Sequence, residues 1–478
     1  MSISGALSNA LSGLTASSRS ADVVSANIAN VLTEGYAPRD VSLQSQQGGR
    51  GVSVVGISRH VDTALLGDLR LADSALADSG TRARFANALE RAVGTPGATG
   101  SLAGQLTALE TSLISAAARP EETSRLQSVV HNADELATSL NRISSRIEDM
   151  RSEADATIAR TIEGLNGNLQ NIAKLNTQIA AANSSGRDTS SLEDQRQSLV
   201  DNIAEIVPVR QLPRENDKIA LVTTGGALLI DGRAAALKFE ASPIVTAHMT
   251  LQNGLLSGIR MDGQPVRTDA DGPLSGGKLG ALFDNRDRAG VDAQSAVDSI
   301  ARDLVERLSA PGLDTTLSAG APGLFTDANA AFAPADEIGL AGRIRLNAGV
   351  DPDQGGAVFR IRDGLGATAP GPSGSADFLK ALGDALNEPR AIAPGLAVRS
   401  SSGHVADVSA RLANDRLSAD QNLSFATTQA AELRSLQLEN GVDTDAEMQR
   451  LLLVEQAFSA NARMIQTIDD MMQTLLRI

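Results

Sequence analysis

From Leu136 to Ile179 apolar residues recur every third or fourth position: Leu136, Leu140, Ile143, Ile147, Met150, Ala154, Ile158, Ile162, Leu165, Leu169, Ile172, Leu175 and Ile179. That spacing puts them all on one face of an α-helix. At 1.5 Å per residue the helix reaches about 66 Å, so this part of the chain is a rod rather than a globule. Helical periodicity extends on both sides, from Ser101 to Val207, with breaks at Arg119-Pro120 and at Ser184 to Asp188. Ser190 with Glu193 reads as a capping box that opens a further helix, and Pro208 stops it.

The two ends of the chain carry heptads. Ile3, Leu7, Ala10, Leu14, Ser17, Ala21, Val24, Ile28 and Val31 alternate spacings of four and three, and so do Leu451, Val454, Phe458, Asn461, Ile465, Ile468, Met472 and Leu475. Each series marks a helix with a coiled-coil seam. Ala10, Ser17, Ala21 and Asn461 thin these seams, so a two-helix pairing buries little apolar surface and is marginal alone. Two readings follow: a hairpin between the N- and C-terminal helices that closes a globular domain, or terminal helices completed by other copies of the chain.

Between these ends the period changes. Gly51 to Ile57 alternates as a short strand after the turn Thr33 to Pro38, and helix resumes near Val61. From Pro208 to about Ser275 the period is two, with strands expected at Lys218 to Val222, Ala227 to Ile230, Ala235 to Phe239 and His248 to Leu251. Helix returns from Gly277 to Leu308. Pro311 to Pro394 is mixed, with a strand candidate at Ala357 to Ile361, and a last helical stretch begins near Val405 and bends at Glu439-Asn440-Gly441. The expected fold is mainly α with an inserted β domain. Its parts are a terminal coiled-coil domain (1–45 and 440–478), a helical rod domain (46–207 and 277–439, with the mixed segment 311–394) and a small β-rich outer domain (208–276).

Composition removes whole classes of chemistry. With 42 Lys and Arg against 57 Asp and Glu the net charge is −15, which argues against a nucleic-acid partner. Nine Phe, one Tyr and no Trp leave almost no stacking platform for bases. The absence of cysteine excludes disulfides, thiolate metal sites and cysteine nucleophiles. His60, His131, His248 and His404 lie in separate segments with no partner at helical spacing, so no metal site is expected. The acidic turn at Asp269, Asp271 and Gly272 has Arg267 where a calcium loop needs its first ligand and Lys278 where it needs its last. Phosphate-binding and nucleophile-elbow motifs are absent, and Glu148-Asp149 and Asp469-Asp470 read as solvated helix faces. The expectation is a protein without cofactor, metal or catalytic residues. No apolar run spans a membrane and the N-terminus lacks the layout of a cleaved signal peptide.

Residues 26 to 36, ANIANVLTEGY, resemble the signature of the bacterial flagellar axial proteins, with Asn27, Asn30, Thr33, Gly35 and Tyr36 at the matching positions. Asn side chains at a helix end can satisfy freed backbone groups, and glycine takes positive φ there. VEQAFSANARMIQT at 454 to 467 and the tail MMQTLLRI resemble the C-terminal helix of the same family. Further resemblances lie at TEGYAPRDV (33 to 41), GRGVSVVGISRHVD (49 to 62), SLEDQRQSLV (191 to 200), LLIDGRAAAL (228 to 237) and SGGKLGALFDNRD (275 to 287). Glu34 replaces a common Pro, and Ala37-Pro38 separates Tyr36 from Arg39 where Ser-Arg is common, which bears on the local turn. The long helical rod favours the hook-associated branch of the family.

The resemblance implies a structural subunit at the hook–filament junction of the flagellum that assembles helically, transmits torque and acts outside the cell. Implied partners are copies of itself, hook protein, the second hook–filament junction protein, a cytoplasmic export chaperone and the flagellar type III export apparatus. The assembly seam is expected at Ile3, Leu7, Leu14, Val24, Ile28, Leu451, Val454, Phe458, Ile465, Ile468, Met472 and Leu475. Phe458, Ile465, Ile468, Met472 and Leu475 form the expected chaperone surface, in a helix-in-groove mode, and the ends are expected to be mobile in the isolated monomer. A hook or distal rod protein, and a secreted coiled-coil binding module or adhesin using residues 208 to 275, remain alternatives.

Overall fold

The computed structural model describes residues 3–33, 35–46, 51–95, 97–98, 100–392 and 397–476. The Glu34 departure, Gly49-Arg50 of the stretch GRGVSVVGISRHVD, the end of the mixed segment at Pro394 and the final Arg477-Ile478 lie outside the described residues. Helix α1 (Ile3–Ala29) leads into a hairpin of β1 (Arg39–Ser45) and β2 (Val52–Arg59). Four helices follow: α2 (Thr63–Val93), α3 (Leu102–Ala118), α4 (Thr123–Ser184) and α5 (Ser190–Ile206). Helix α4 is 62 residues long, about 93 Å at the standard rise. It therefore outruns the expected segment at both ends.

The β insert holds two small antiparallel sheets. Strands β3 (Val209–Pro213), β4 (Ile219–Thr223), β5 (Leu228–Asp231) and β6 (Arg233–Ala234) form one. The other is β7 (Leu237–Lys238), β8 (Ile259–Met261) and β9 (Gln264–Val266). Then come α6 (Gly277–Asp284), a π-helical turn at Asn285–Ala289, and α7 (Gly290–Arg307). The mixed segment supplies β10 (Phe325–Asp327), α8 (Leu340–Arg343), β11 (Ile344–Leu346), α9 (Arg360–Asp363) and α10 (Asp377–Asn387). The chain ends in α11 (Ser401–Glu439) and α12 (Thr444–Leu476).

Two apolar cores share α4 as a spine. Its first half, Leu126 to Met150, packs with α3, α7, α10, α11 and the mixed segment. From Ala154 to Ile172 it packs instead with α5, α6 and the β insert. Between the cores sit three charged side chains with no exposed surface: Arg151, Asp155 and Arg286. Asp155 pairs with Arg286, whose Nη2 donates to the Ser257 carbonyl at 3.0 Å and whose Nε donates to Asp287 at 2.7 Å. The Arg286 guanidinium also lies over the Phe283 ring at 4.9 Å. Arg151 donates to the carbonyls of Arg286, Thr246 and Met249. The π-turn puts the Arg286 carbonyl in reach of Arg151. Gly290 makes room, because a Cβ there would stand 2.7 Å from the Arg151 side chain. Burial pushes Arg286 toward losing its proton, but the hydrogen bonds and charges of Asp287 and Asp155 outweigh it and raise its pKa.

Three sequence expectations change. His248 to Leu251 is a run of turns, not a strand: Met249 N bonds back to the Thr246 carbonyl, Thr250 N donates to Asn253 Oδ1, and Arg151 of α4 takes the Met249 carbonyl, while α4 also holds the residues just before it. Asp155 accepts from Ser242 N, Ser152 from Val245 N and Glu148 from Ala247 N, at 2.6, 2.9 and 2.8 Å. Ala357 to Ile361 is not a strand either: Arg360 N and Ile361 N bond back to Ala357 and Val358, and the segment turns into α9. The expected capping box does not form, since the N-cap side chain bonds no backbone N–H. Thr189 is the N-cap, Glu193 accepts from its hydroxyl at 2.6 Å, and Ser190 donates to Asp188 at 2.7 Å.

Removing Asp155 leaves Arg286 buried without its full complement of charge. Asp155→Ala is expected to cost about 3–5 kcal/mol in chemical denaturation followed by circular dichroism, since one partner of a buried pair is lost.

Candidate functional site

The motif residues converge on Asn27, which is fully buried. Its amide has two donor hydrogens and an oxygen that can accept twice, and all are used. Nδ2 donates to the Arg39 carbonyl at 2.9 Å and to Glu447 Oε1 on α12 at 3.1 Å. Oδ1 accepts from the Tyr36 hydroxyl at 2.8 Å and from Arg39 N at 3.1 Å. One side chain thus ties the end of α1 to the motif turn, to β1 and to the start of α12.

The other motif residues shape that turn. Asn30 Nδ2 donates to the Ala26 carbonyl at 2.9 Å, ending α1, and its Oδ1 accepts from Thr33 at 3.2 Å. Gly35 has φ +79, a conformation that other residues adopt only under strain. The Arg39 guanidinium covers the Tyr36 ring at 4.8 Å. Burial raises the Tyr36 pKa, partly offset by the Arg39 charge. Around this centre Arg450 of α12 pairs with Asp40, and His60 meets Asp40 at 2.8 Å.

Helices α1 and α12 pack antiparallel. Asn27 meets Glu447 at one end, and Gly13 lies against Asn461 farther along, where a Cβ would stand 2.7 Å from the amide. The polar interruption of one heptad is thus fitted to a glycine of the other helix. Among the expected seam residues Val24 and Ile468 are buried, while Ile3, Leu7, Leu14, Ile28, Leu451, Val454 and Ile465 are half-buried. Phe458, Met472 and Leu475 keep 43%, 42% and 59% of their surface exposed. The seam is therefore open at Phe458 and again at the end of α12, beyond Ile468. The expected chaperone surface occupies this same stripe, so α1 covers part of it within the chain.

The ladder gives another correction. Arg39 pairs with Arg59 and Ser45 with Val52, so the boundary expected between residues 45 and 46 cuts through a paired hairpin. Strand β2 belongs with β1 beside α1, where Val52 N donates to Ser12 Oγ at 3.2 Å.

Sequence reasoning missed a second stripe on α12. Leu453, Ala457, Ala460, Met464, Thr467 and Met471 repeat the four-three spacing one residue ahead of the first seam, and all are exposed. The signal lay in the spacing and was hidden by the stronger neighbouring stripe. Elsewhere, His404 is a packing residue whose Nε2 lies 2.8 Å from the Arg390 carbonyl. Among the described residues no group of three or more His, Cys, Asp or Glu is placed to hold a metal ion. No helix of the described residues is long and apolar enough to cross a membrane.

Replacing Asn27 strands four partners. Asn27→Ala is expected to cost about 1–3 kcal/mol, and Asn27→Asp to be worse because it sets a carboxylate against Glu447; thermal unfolding followed by circular dichroism at 222 nm reads both. Tyr36 is the only tyrosine, so absorbance at 295 nm reports its ionisation alone. Its midpoint should lie above the unfolded value of about 10. The native state binds this proton more tightly than the unfolded chain, so its contribution to stability is intact below that pH and falls as pH rises through the native midpoint.

A family model for the flagellar hook-associated protein FlgK helical domain matches residues 86–322. The flagella basal body rod protein model matches residues 7–36, and the flagellar basal body rod FlgEFG protein C-terminal model matches residues 439–478. The chain is 26% identical over 246 residues to flagellar hook-associated protein 1 of Escherichia coli K12, a match covering 49% of this chain and 44% of that protein. To flagellar hook-associated protein 1 of Bacillus subtilis 168 it is 24% identical over 289 residues, covering 55% and 57%. The chain thus spans about half the length of the curated relatives it matches. The solved hook junction protein FlgK from Burkholderia pseudomallei aligns with TM-score 0.46 and 23% identity over 54% of this chain and 46% of that one. With a hook-associated helical domain matched between two terminal rod-protein segments, the chain is similar to the hook-associated branch of the flagellar axial proteins.

Proposed function

We propose that the chain is a structural, non-catalytic subunit of the bacterial flagellum that joins hook to filament by helical self-assembly and passes torque between them. The observation that carries this reading is the second stripe of α12. The first stripe is partly covered by α1, and beside it Leu453, Met464 and Met471 expose 65%, 47% and 46% of their surface with heptad spacing that fits another helix. Burying each such side chain in a neighbouring copy contributes about 1.5–3 kcal/mol, so a thin intramolecular seam becomes a stable wall once copies surround it. Small Ala457 and Ala460 let helices approach closely, and methionine adapts to several neighbours.

In this reading the terminal unit, residues 1–45 and 440–478 together with the rest of the hairpin, forms the inner tube. The helical body stands outside it and the β insert is outermost. The subunit contacts other copies, hook protein and the second junction protein. It reaches the cell exterior through the type III export apparatus, with a cytoplasmic chaperone holding the Phe458, Ile465, Ile468, Met472 and Leu475 stripe before α1 covers it. A hook or distal rod protein is the second reading, supported by the rod-protein models at both termini.

A clean deletion should leave hooks in place, lose filaments and shed flagellin into the medium; arrest of hook growth instead would assign the chain to the hook or rod. Leu453→Asp with Met464→Asp should leave the helical content of the monomer unchanged and abolish filament attachment. Ile465→Asp with Met472→Asp should also remove chaperone capture in a pull-down.

A further inference from the structure

We propose that Asp194 is the pin of a joint between the terminal unit (α1, the hairpin and α12) and the helical body. Arg39 and Arg59 are direct cross-strand partners in the hairpin, and like charges directly opposite one another destabilise a ladder. What sits between them is a carboxylate from the body. Asp194 on α5 accepts from Arg39 Nη2 on one oxygen and from Arg59 Nε at 2.7 Å on the other. The three side chains are only 13 to 16% exposed, and Gln197 on the next turn of α5 takes the remaining arm of Arg59. The hairpin thus keeps its two guanidinium groups together only while the body supplies the counter-charge.

The rest of the junction is built to move. The main element contact across it is β2 against α5, and its named interactions are polar. Small polar interfaces of this kind leave relative motion as the default. Two chain segments cross it, the three-residue link 60–62 from β2 to α2 and the short link 440–443 with Gly441. Beside the pin lies a cleft of about 770 Å³ with the terminal unit on one side (Asn30, Thr33, Tyr36) and the body on the other (Lys174, Gln178, Ser198). Arg39 Nε, at the edge of that cleft, is buried without a hydrogen-bond partner. The pin holds the cleft open, and drawing it lets the terminal unit swing across that space. The joint lies within one chain, so it does not depend on the assembly reading.

The chain has no cysteine, so Ser25→Cys on α1 and Thr177→Cys on α4, both exposed, give a single spin-label pair for pulsed dipolar distance measurement on the full-length monomer. With Asp194 present one narrow distance distribution is expected. Asp194→Asn should broaden it at least twofold with no loss of helical content, and adding Arg59→Gln should broaden it no further, because both substitutions remove the same ion pair. Asp201→Asn breaks the Arg70 ion pair inside the body and should leave the distribution unchanged. An unaltered distribution in Asp194→Asn, or equal broadening in Asp201→Asn, overturns the proposal. Should Asp194→Asn fail to fold, Arg59→Gln alone decides: broadening supports the pin and an unchanged distribution removes it.

Discussion

The arrangement of the body rests on the meeting of Arg151, Asp155 and Arg286 inside α4's packing. A helix 62 residues long can serve two cores only if something defines where one ends and the other begins. Here the boundary is electrostatic. Charges buried at that depth require partners in a fixed geometry, because a lone one costs far more than an apolar mismatch. The partners come from the π-turn before α7 and from the loop that follows β7, so the network fixes the register of α4, the insert and α7 at once. Apolar packing alone would tolerate a slide along so regular a helix.

The terminal unit follows a different logic. Its seam is thin, its own core is small, and its order is concentrated in a few saturated polar groups, above all Asn27. A buried amide with every donor and acceptor used specifies one arrangement of three chain segments more sharply than a leucine at the same place. Specificity and adhesion are thereby separated: Asn27 says where α12 begins beside α1, and the apolar stripes of α12 supply area for contacts.

Much of this was legible in the sequence. The 3.6 period of α4, the breaks at Pro120 and Ser184, both terminal heptads and the strand runs near 219–223 and 228–231 can be read directly because burial imposes a period on them. The motif around Asn27 was also visible as a cluster of residues suited to a helix exit. What could not be read was long-range chemistry. Nothing local says that Asn27 would find Glu447, that Arg39 and Arg59 would share Asp194, or that residues 242–249 would give their backbone to α4 instead of a strand. Alternation at Ala357 to Ile361 misled for a similar reason: a short run of alternating residues needs a partner strand, and Ile361 is buried by the turn into α9.

The two helix pairings that span the molecule, α1 with α12 and α2 with α11, join the first hundred residues to the last eighty. Each closes a loop of several hundred residues, and contacts of that separation form late. A chain is synthesised from its N-terminus, so α1, and the side of α2 that meets α11, must wait until the final helices exist, while α2 can already pack against α5 and α6. The compact α3, α4 and α5 segment can order in the meantime from local contacts. Completion of this architecture is therefore gated by the arrival of its last two helices, and a ribosome stalled before residue 401 would hold a chain with an ordered centre, an α2 packed on one side only and an α1 without its helix partner.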